Sequence, residues 1–371
     1  MHLAIVHTLG GGIVTAVGAR LDWLNRSGGQ VHAVLVAPEK RNTDGRSGLF
    51  FATGREPPAT YHHDYERAVA KDVVKGIRMA YEKKKFDAID AHDGTALIAA
   101  KEFASTLPAG KCMPIIHTIH SRELIDRLTE GASGDLSDAI AGTDLFISVS
   151  QCILDEHRNK FPDVFRADVR MTVVGNAIPK GVAPRDPLRS GSEVQAIFVG
   201  RLETAKGFDL LIEAATSLRK RGKNVHFSAL GSCEDLNLAT RAENAGIELL
   251  PKAAPSKVYE HLRGNDIFVF PSRNEACSMA LLEAIGSGLA VVASNIEANI
   301  ETAGHAALTH ADGDAAQLEA RISEMLDDMA LMQSYAQASR ERADDLTPER
   351  VFANLDSHYL SLEGWEKAEK L

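Results

Sequence analysis

The sequence predicts an α/β protein of two doubly wound, Rossmann-like domains with parallel sheets, and three observations carry that prediction. Short apolar runs rich in β-branched residues alternate along the chain with longer stretches of helical period. The alternation stops once, in a Gly-, Pro- and Ser-rich segment at 175–193, and then begins again. The chain has 371 residues, 44% of them apolar and 25% charged, which is the balance of a globular protein with room for two cores.

The strands expected in the first half lie at 3–8, 31–37, 87–92, 114–120, 145–150 and 171–176. A helix is expected over 64–85, because Ala68, Val69, Val73, Ile77, Ala80 and Tyr81 fall on one face at spacings of three or four. The stretch 41–63 reads as a long turn-rich loop carrying Arg46, Phe50, Phe51 and Arg55, a candidate flap on the acceptor side. After the linker, strands are expected at 196–201, 225–231, 266–272 and 289–294. Helices follow near 208–221, 234–245, 255–264, 279–286 and 314–330. From Pro348 onward, Val351, Phe352, Leu355, Tyr359 and Leu362 recur at helical spacing, so this tail packs on something. The domains are then 1–178, joined by the helix 348–371, and 179–347.

Charge and cysteine usage exclude several classes. The net charge is −10, and the acidic excess falls almost wholly after residue 178, where 20 basic side chains face 29 acidic ones. Such a chain has no attractive field for a polyanion, so no nucleic-acid partner is expected. Cys112, Cys152, Cys233 and Cys277 are far apart and form no CxxC pair, which reads as reduced thiols in the cytoplasm. No apolar run approaches the ~18–20 residues needed to cross a bilayer. The N-terminus lacks a basic region and breaks at Gly10, Gly11 and Gly12, so it reads as a first strand and turn rather than a signal peptide. Lys83, Lys84 and Lys85 read as the solvated end of a helix, with weak peripheral docking on a membrane as the alternative.

The chemistry-bearing residues follow strands, where doubly wound sheets bind ligands. GRLETAKG, Gly200 to Gly207, places Arg201 and Lys206 on a tight loop before a helix start, whose free amides and positive dipole end suit phosphate. The competing reading is a surface loop that carries two cations. In PSRNEACSMALLEAIGSG, Glu275 follows a strand and Glu283 lies eight residues on, about two helical turns of ~7.2 residues. Both carboxylates then face one crevice at different depths, and the amides of Cys277, Ser278 and Met279 open the helix between them. The competing reading makes Glu275 a cap-region acid and Glu283 a solvated helix residue.

GRLETAKG, the E-x7-E pair, the preceding DIFVFPS and the following LEAIGSGLAVVAS together resemble the donor half of the retaining glycosyltransferases of family 4, which have the GT-B fold of two Rossmann-like domains facing a cleft. HTLGGG, DAHDG (90–94), HTIHS (117–121), ISVSQ (147–151) and VVGNAI (173–178) extend the resemblance over the first half. It implies a retaining hexosyltransferase with no cofactor and no metal, acting on a nucleoside-diphosphate sugar, a UDP-sugar by preference. The acceptor is left open among glycans, lipid-linked glycans and small molecules, and so is the oligomeric state. By resemblance Arg201 and Lys206 hold the diphosphate and stabilise it as it leaves, Glu275 orients the sugar, and Glu283 holds the ribose. Gly200, Gly231 and the Pro251 to Ala253 segment with Lys252 frame the nucleotide, Gly11 and Gly12 let the first turn approach the phosphates, and His120 faces the donor sugar and phosphate. Where the family has a Gly-Phe-Gly type sequence, this chain has Ala276, Cys277 and Ser278. Ala276 narrows the backbone freedom that glycine gives, which bears on how the sugar is oriented.

Other readings are weaker. A phosphorylase, a sugar-nucleotide epimerase and a non-catalytic nucleotide-sugar-binding subunit share the fold, while the missing dinucleotide fingerprint argues against a hydride-transfer enzyme. Asp312-Gly313-Asp314 is read with Asp314 as a helix N-cap rather than a metal clamp. His117 is expected in the core, Asp93 as either a cap or an acceptor-side base, and Cys277 as a small filler.

Overall fold

All thirteen described strands run parallel to their neighbours, in two separate sheets. The structure is a computed structural model that describes residues 2–7, 12–28, 30–37, 48–52, 63–108, 111–185 and 193–362. Two units result, residues 1–175 with 352–371 and residues 176–351.

The first unit contains β1 (His2–His7), β2 (Gln30–Ala37), β3 (Gly48–Ala52), β4 (Ala88–Ala91), β5 (Ile115–Ile119), β6 (Leu145–Ser148) and β7 (Met171–Val173), in the spatial order β3-β2-β1-β4-β5-β6-β7. The second contains β8 (Val194–Val199), β9 (Val225–Leu230), β10 (Ile247–Leu250), β11 (Ile267–Phe270), β12 (Ala290–Ser294) and β13 (Ala307–His310), in the order β10-β9-β8-β11-β12-β13. Every residue of β4, β5, β6, β11 and β12 is buried, because helices cover both faces of a parallel sheet. That coverage selects continuous runs such as IFVF and AVVAS in place of alternation. Ala196 on β8 sits opposite Ile267 on β11, and Phe198, Phe208, Leu211 and Leu218 pack into the core beneath them.

Three strands depart from the expected set. β3 lies inside the stretch expected to be a loop, so that stretch supplies a sheet edge; its residues 41–47 and 53–62 lie outside the described residues. β10 and β13 were not expected. Each is an edge strand with mostly half-covered residues, so neither carries the continuous apolar run that marks a central strand. The helix expected at 314–330 is two helices, Ala315–Asp327 and Met329–Asp345. Asp328 makes the break: its Oδ1 accepts the amides of Ala330 and Leu331 at 2.9 and 3.0 Å, which caps the second helix.

The tail forms two short helices, Pro348–Val351 and Leu355–Leu360. Phe352, Leu355, Tyr359 and Leu362 are each at most 1% exposed. Phe352 meets Trp23 edge to face at 5.8 Å, and Arg170 Nη2 donates to Ser361 Oγ at 2.6 Å, so the tail packs on the first unit.

Candidate functional site

In the second sheet the strand order reverses between β8 and β11, so the loops that follow them diverge and leave a crevice at their carboxyl ends. The loop after β8 carries Arg201 and Lys206; the loop after β11 carries Glu275 and leads to the helix Met279–Gly286. Backbone contacts tie the strand ends together. Gly200 N donates to Leu230 O at 3.1 Å, Leu202 N to Ser232 O at 2.9 Å, and Gly231 N to Leu250 O at 3.2 Å. A Cβ on Gly231 would lie 1.8 Å from Gly200 O, so only glycine allows this approach. Gly207 adopts a left-handed conformation (φ 69°), and a Cβ there would lie 1.9 Å from Pro271 O. Arg273 fastens the same loop: it donates to both Asp209 carboxylate oxygens at 2.7 and 2.8 Å and to Thr204 O.

On this frame Lys206 Nζ donates to Glu275 Oε1 at 2.8 Å and to Asn274 O at 3.3 Å. The same Oε1 accepts from Ser272 Oγ at 2.8 Å. Arg201 is mostly exposed and pairs with Glu203 at 3.1 Å. Both cations therefore rest against carboxylates, and Lys206 and Glu275, expected to hold different parts of a ligand, touch each other. The crevice thus holds its charges ready and exchangeable: an anion entering it can take over the contacts of Lys206 and Arg201.

Glu283 is 8% exposed rather than solvated, and no hydrogen-bond donor to its carboxyl occurs among the described residues. Burial pushes its pKa up to about 8. Ser278 caps the helix Met279–Gly286 by accepting the Leu281 amide at 3.4 Å, and Met279 is buried. Asn176 Nδ2 donates to Cys277 O at 3.0 Å and fixes this loop from the linker side. Burial pushes the Cys277 thiol up to about 11, which makes it a poor nucleophile. Lys252 is exposed just beyond β10, beside the backbone contact of Gly231. Asp314 Oδ1 accepts the Gln317 amide at 2.9 Å, so it caps a helix as expected.

The first sheet reverses between β1 and β4. Gly11 lies outside the described residues; Gly12 begins the helix Gly12–Arg26 and is exposed. His120 directly follows β5, and its Nε2 lies 2.7 Å from Nδ1 of His92, which directly follows β4. Their rings stack at 4.9 Å. Burial first, then His92 and Arg20, hold His120 well below its usual value. Asp93 Oδ1 accepts the Ala96 amide at 2.8 Å and caps the helix Gly94–Ser105. His117 is 2% exposed against Phe146, and burial lowers it to about 3, which places it in the core. Ser272, Arg273 and Asp209 were not expected at the site. Ser272 and Arg273 lie within the quoted loop motif but were given no role there, since they serve the site by fastening other residues.

Residues 183–342 match the family described as Glycosyl transferases group 1, and residues 10–180 match Glycosyltransferase Family 4. The chain is 24% identical over 295 residues to a D-inositol 3-phosphate glycosyltransferase of Paenarthrobacter aurescens, an alignment that covers 72% of this chain and 66% of that protein. It spans about half to two thirds of the length of the curated relatives it matches. Among solved structures it is similar to sucrose-phosphate synthase from Thermosynechococcus elongatus, with TM-score 0.78, 14% identity and coverage of 98% of this chain and 99% of that one. It is also similar to Anabaena HepE in complex with UDP, with TM-score 0.75, 15% identity and coverage of 98% and 100%. The fold is that of the GT-B proteins, two parallel-sheet α/β units in sequence. With matches to a family in both halves, and with the motifs of its donor half at the strand ends where that fold binds ligands, the chain belongs to the group 1, family 4 glycosyltransferases.

Proposed function

We propose that the protein is a retaining glycosyltransferase that moves a sugar from a UDP-sugar to an acceptor hydroxyl without a metal ion. The observation that carries this reading is the pairing of Lys206 with Glu275 across the reversal between β8 and β11, with Arg201 on the same loop. UDP is the ligand named for HepE, a neighbour in fold. Donor binding draws Arg201 from Glu203 and Lys206 from Glu275 onto the diphosphate, and Glu275 then accepts from hydroxyls of the sugar. Glu283 holds the ribose, first-turn amides from Cys277 to Met279 meet phosphate oxygens, and the Gly200, Gly231 and Lys252 backbone frames the nucleotide. Gly11, which lies outside the described residues, Gly12 and His120 are the first-unit positions that the resemblance assigns to the donor.

In the reaction the bond from the sugar's anomeric carbon to the β-phosphate oxygen breaks. The acceptor oxygen bonds to that carbon on the same face, and its proton passes to the departing phosphate oxygen. Negative charge grows on the β-phosphate, where two fixed cations can do the work of a divalent ion. Lys206→Ala and Arg201→Ala are each expected to lower turnover of UDP-glucose, measured in EDTA, by 10² or more. Unchanged activity in both would sink the assignment, whereas tight UDP binding with no transfer or hydrolysis would favour a non-catalytic nucleotide-sugar-binding subunit.

A further inference from the structure

Two donors meet on one oxygen of Glu275, and they are not held alike. Lys206 Nζ and Ser272 Oγ each lie 2.8 Å from Oε1. The Lys206 ammonium ends a long stem and its side chain is 21% exposed, whereas Ser272 is fully buried. Behind Ser272 runs a short chain of buried polar groups, all of it in the unit 176–351. Ser294, which ends β12, donates from Oγ to Ser272 O at 2.5 Å. Asn299, on the helix Glu297–Ala303, donates from Nδ2 to Ser294 Oγ at 2.9 Å and to Ser294 O at 3.3 Å. β11 and β12 are neighbours with Phe270 opposite Ala293, so both serines stand at adjoining strand ends.

Each hydroxyl in this chain has one proton to give, and its partners fix where that proton goes. Asn299 faces the Ser294 carbonyl as well as its hydroxyl, and a carbonyl only accepts, so the amide N–H groups point that way. Ser294 Oγ therefore accepts from Asn299 and gives its own proton to Ser272 O. Ser272 Oγ has two acceptors in reach, Asn274 O at 3.4 Å and the Glu275 carboxylate at 2.8 Å. The shorter contact to the charged group takes the proton. An anion entering the crevice can draw Lys206 away by its charge, but a neutral hydroxyl fixed in the buried frame stays on Glu275.

We propose that Ser272 is a positioning residue that keeps the Glu275 carboxylate in place when a donor diphosphate takes Lys206, with Ser294 and Asn299 holding Ser272 in turn. This rests on the proposed roles of Lys206 and Glu275 toward the diphosphate and the sugar. A carboxylate that loses its cation and has no second anchor turns about its own side-chain bonds, and the geometry it offers to sugar hydroxyls is lost. With Ser272 on Oε1 that geometry is set before the sugar arrives. Ser272 thus serves the sugar half of a nucleotide sugar and leaves the nucleotide half alone.

The test compares binding of UDP-glucose with binding of UDP, by calorimetry on the full chain, in the wild type, Ser272→Ala, Glu275→Ala and the double variant. Ser272→Ala is expected to weaken UDP-glucose about 10-fold and to leave UDP within about twofold of the wild type. An equal loss for both ligands is what a loosened loop would give, and it overturns the proposal, as does no loss for either. In the Glu275→Ala background, Ser272→Ala is expected to add less than about twofold, because the group it anchors is gone; a further loss of about 10-fold would place the action of Ser272 elsewhere and overturn the proposal. Ser294→Ala, which spares the Ser272 hydroxyl, is expected to give the same split with a smaller loss, and a loss shared equally by UDP counts against the chain in the same way. Failure of UDP to bind the wild type would sink the proposed function. The anchor is then still decided by urea unfolding of the same variants, where effects of Ser272→Ala and Glu275→Ala that simply add would overturn it.

Discussion

A carboxyl 8% exposed and with no donor among the described residues, as Glu283 is, keeps its proton well above the usual carboxylate range. Its value rises from 4.5 in the unfolded chain to about 8 in the folded one. Between those values the folded state holds a proton that the unfolded chain has released, so stability falls as pH rises through the window and stays low above it. Glu283→Gln is therefore expected to gain stability over the wild type from about pH 4.5 to pH 8, reaching of order a few kcal/mol, in urea melts taken across that range. Ribose hydroxyls donating to Glu283 would favour its ionised form. UDP binding near pH 7 should then release protons, which calorimetry in buffers of different ionisation enthalpy reads directly; no buffer dependence would remove Glu283 from the ribose site. The E-x7-E spacing was legible in the sequence, and so were Arg201 and Lys206. The resting partner of Lys206, Glu275, was not, because an ion pair across 69 residues of chain is set by the strand order, whereas Glu203 lies two residues from Arg201 in the same loop.

Loops and helices act as units. Gly207 is both left-handed and in contact with Pro271 O, so Gly207→Ala must shift the loop that carries Lys206. We expect it to cost more than the ~1 kcal/mol of an ordinary glycine replacement and to weaken UDP binding, while a UDP affinity equal to the wild type would show that the loop does not set the site. The tail helix Leu355–Leu360 was legible as an apolar stripe, but its partner was not. Tyr359 reaches Asp90 across 269 residues. Tyr359→Phe removes one of the donors to a buried carboxylate, and its expected cost is about 1–3 kcal/mol in denaturant unfolding. The edge strands β10 and β13 escaped the sequence reading for a related reason: their residues are mostly half-covered, so neither carries the long apolar run of a doubly covered strand.

At the scale of the molecule, the two units each have their own sheet and core, so unfolding need not be two-state. UDP at about 100 times its Kd is expected to stabilise the unit 176–351 by ~2.7 kcal/mol, seen as an upward move of one calorimetric transition. Deleting 352–371 strips Phe352, Leu355, Tyr359 and Leu362 from the first unit and should lower the other transition. A single transition that both changes move alike would mean that the units unfold together. Among the described residues no helix is long and apolar enough to cross a membrane.

The sequence by itself determined the α/β class, the place where the alternation restarts, and the family, because period and motif are local properties written in adjacent residues. It also placed Arg201, Lys206 and Glu275 just after strands, where a doubly wound sheet exposes its chemistry, and Glu283 on the helix that follows. Only the tertiary structure decided which of these residues touch, that Glu283 is buried, and that Arg20, Asp90, Thr118 and Tyr359 form one buried cluster. Contacts between residues 28 to 269 positions apart depend on the order of strands in a sheet and on where the tail returns, and no period in the sequence encodes either.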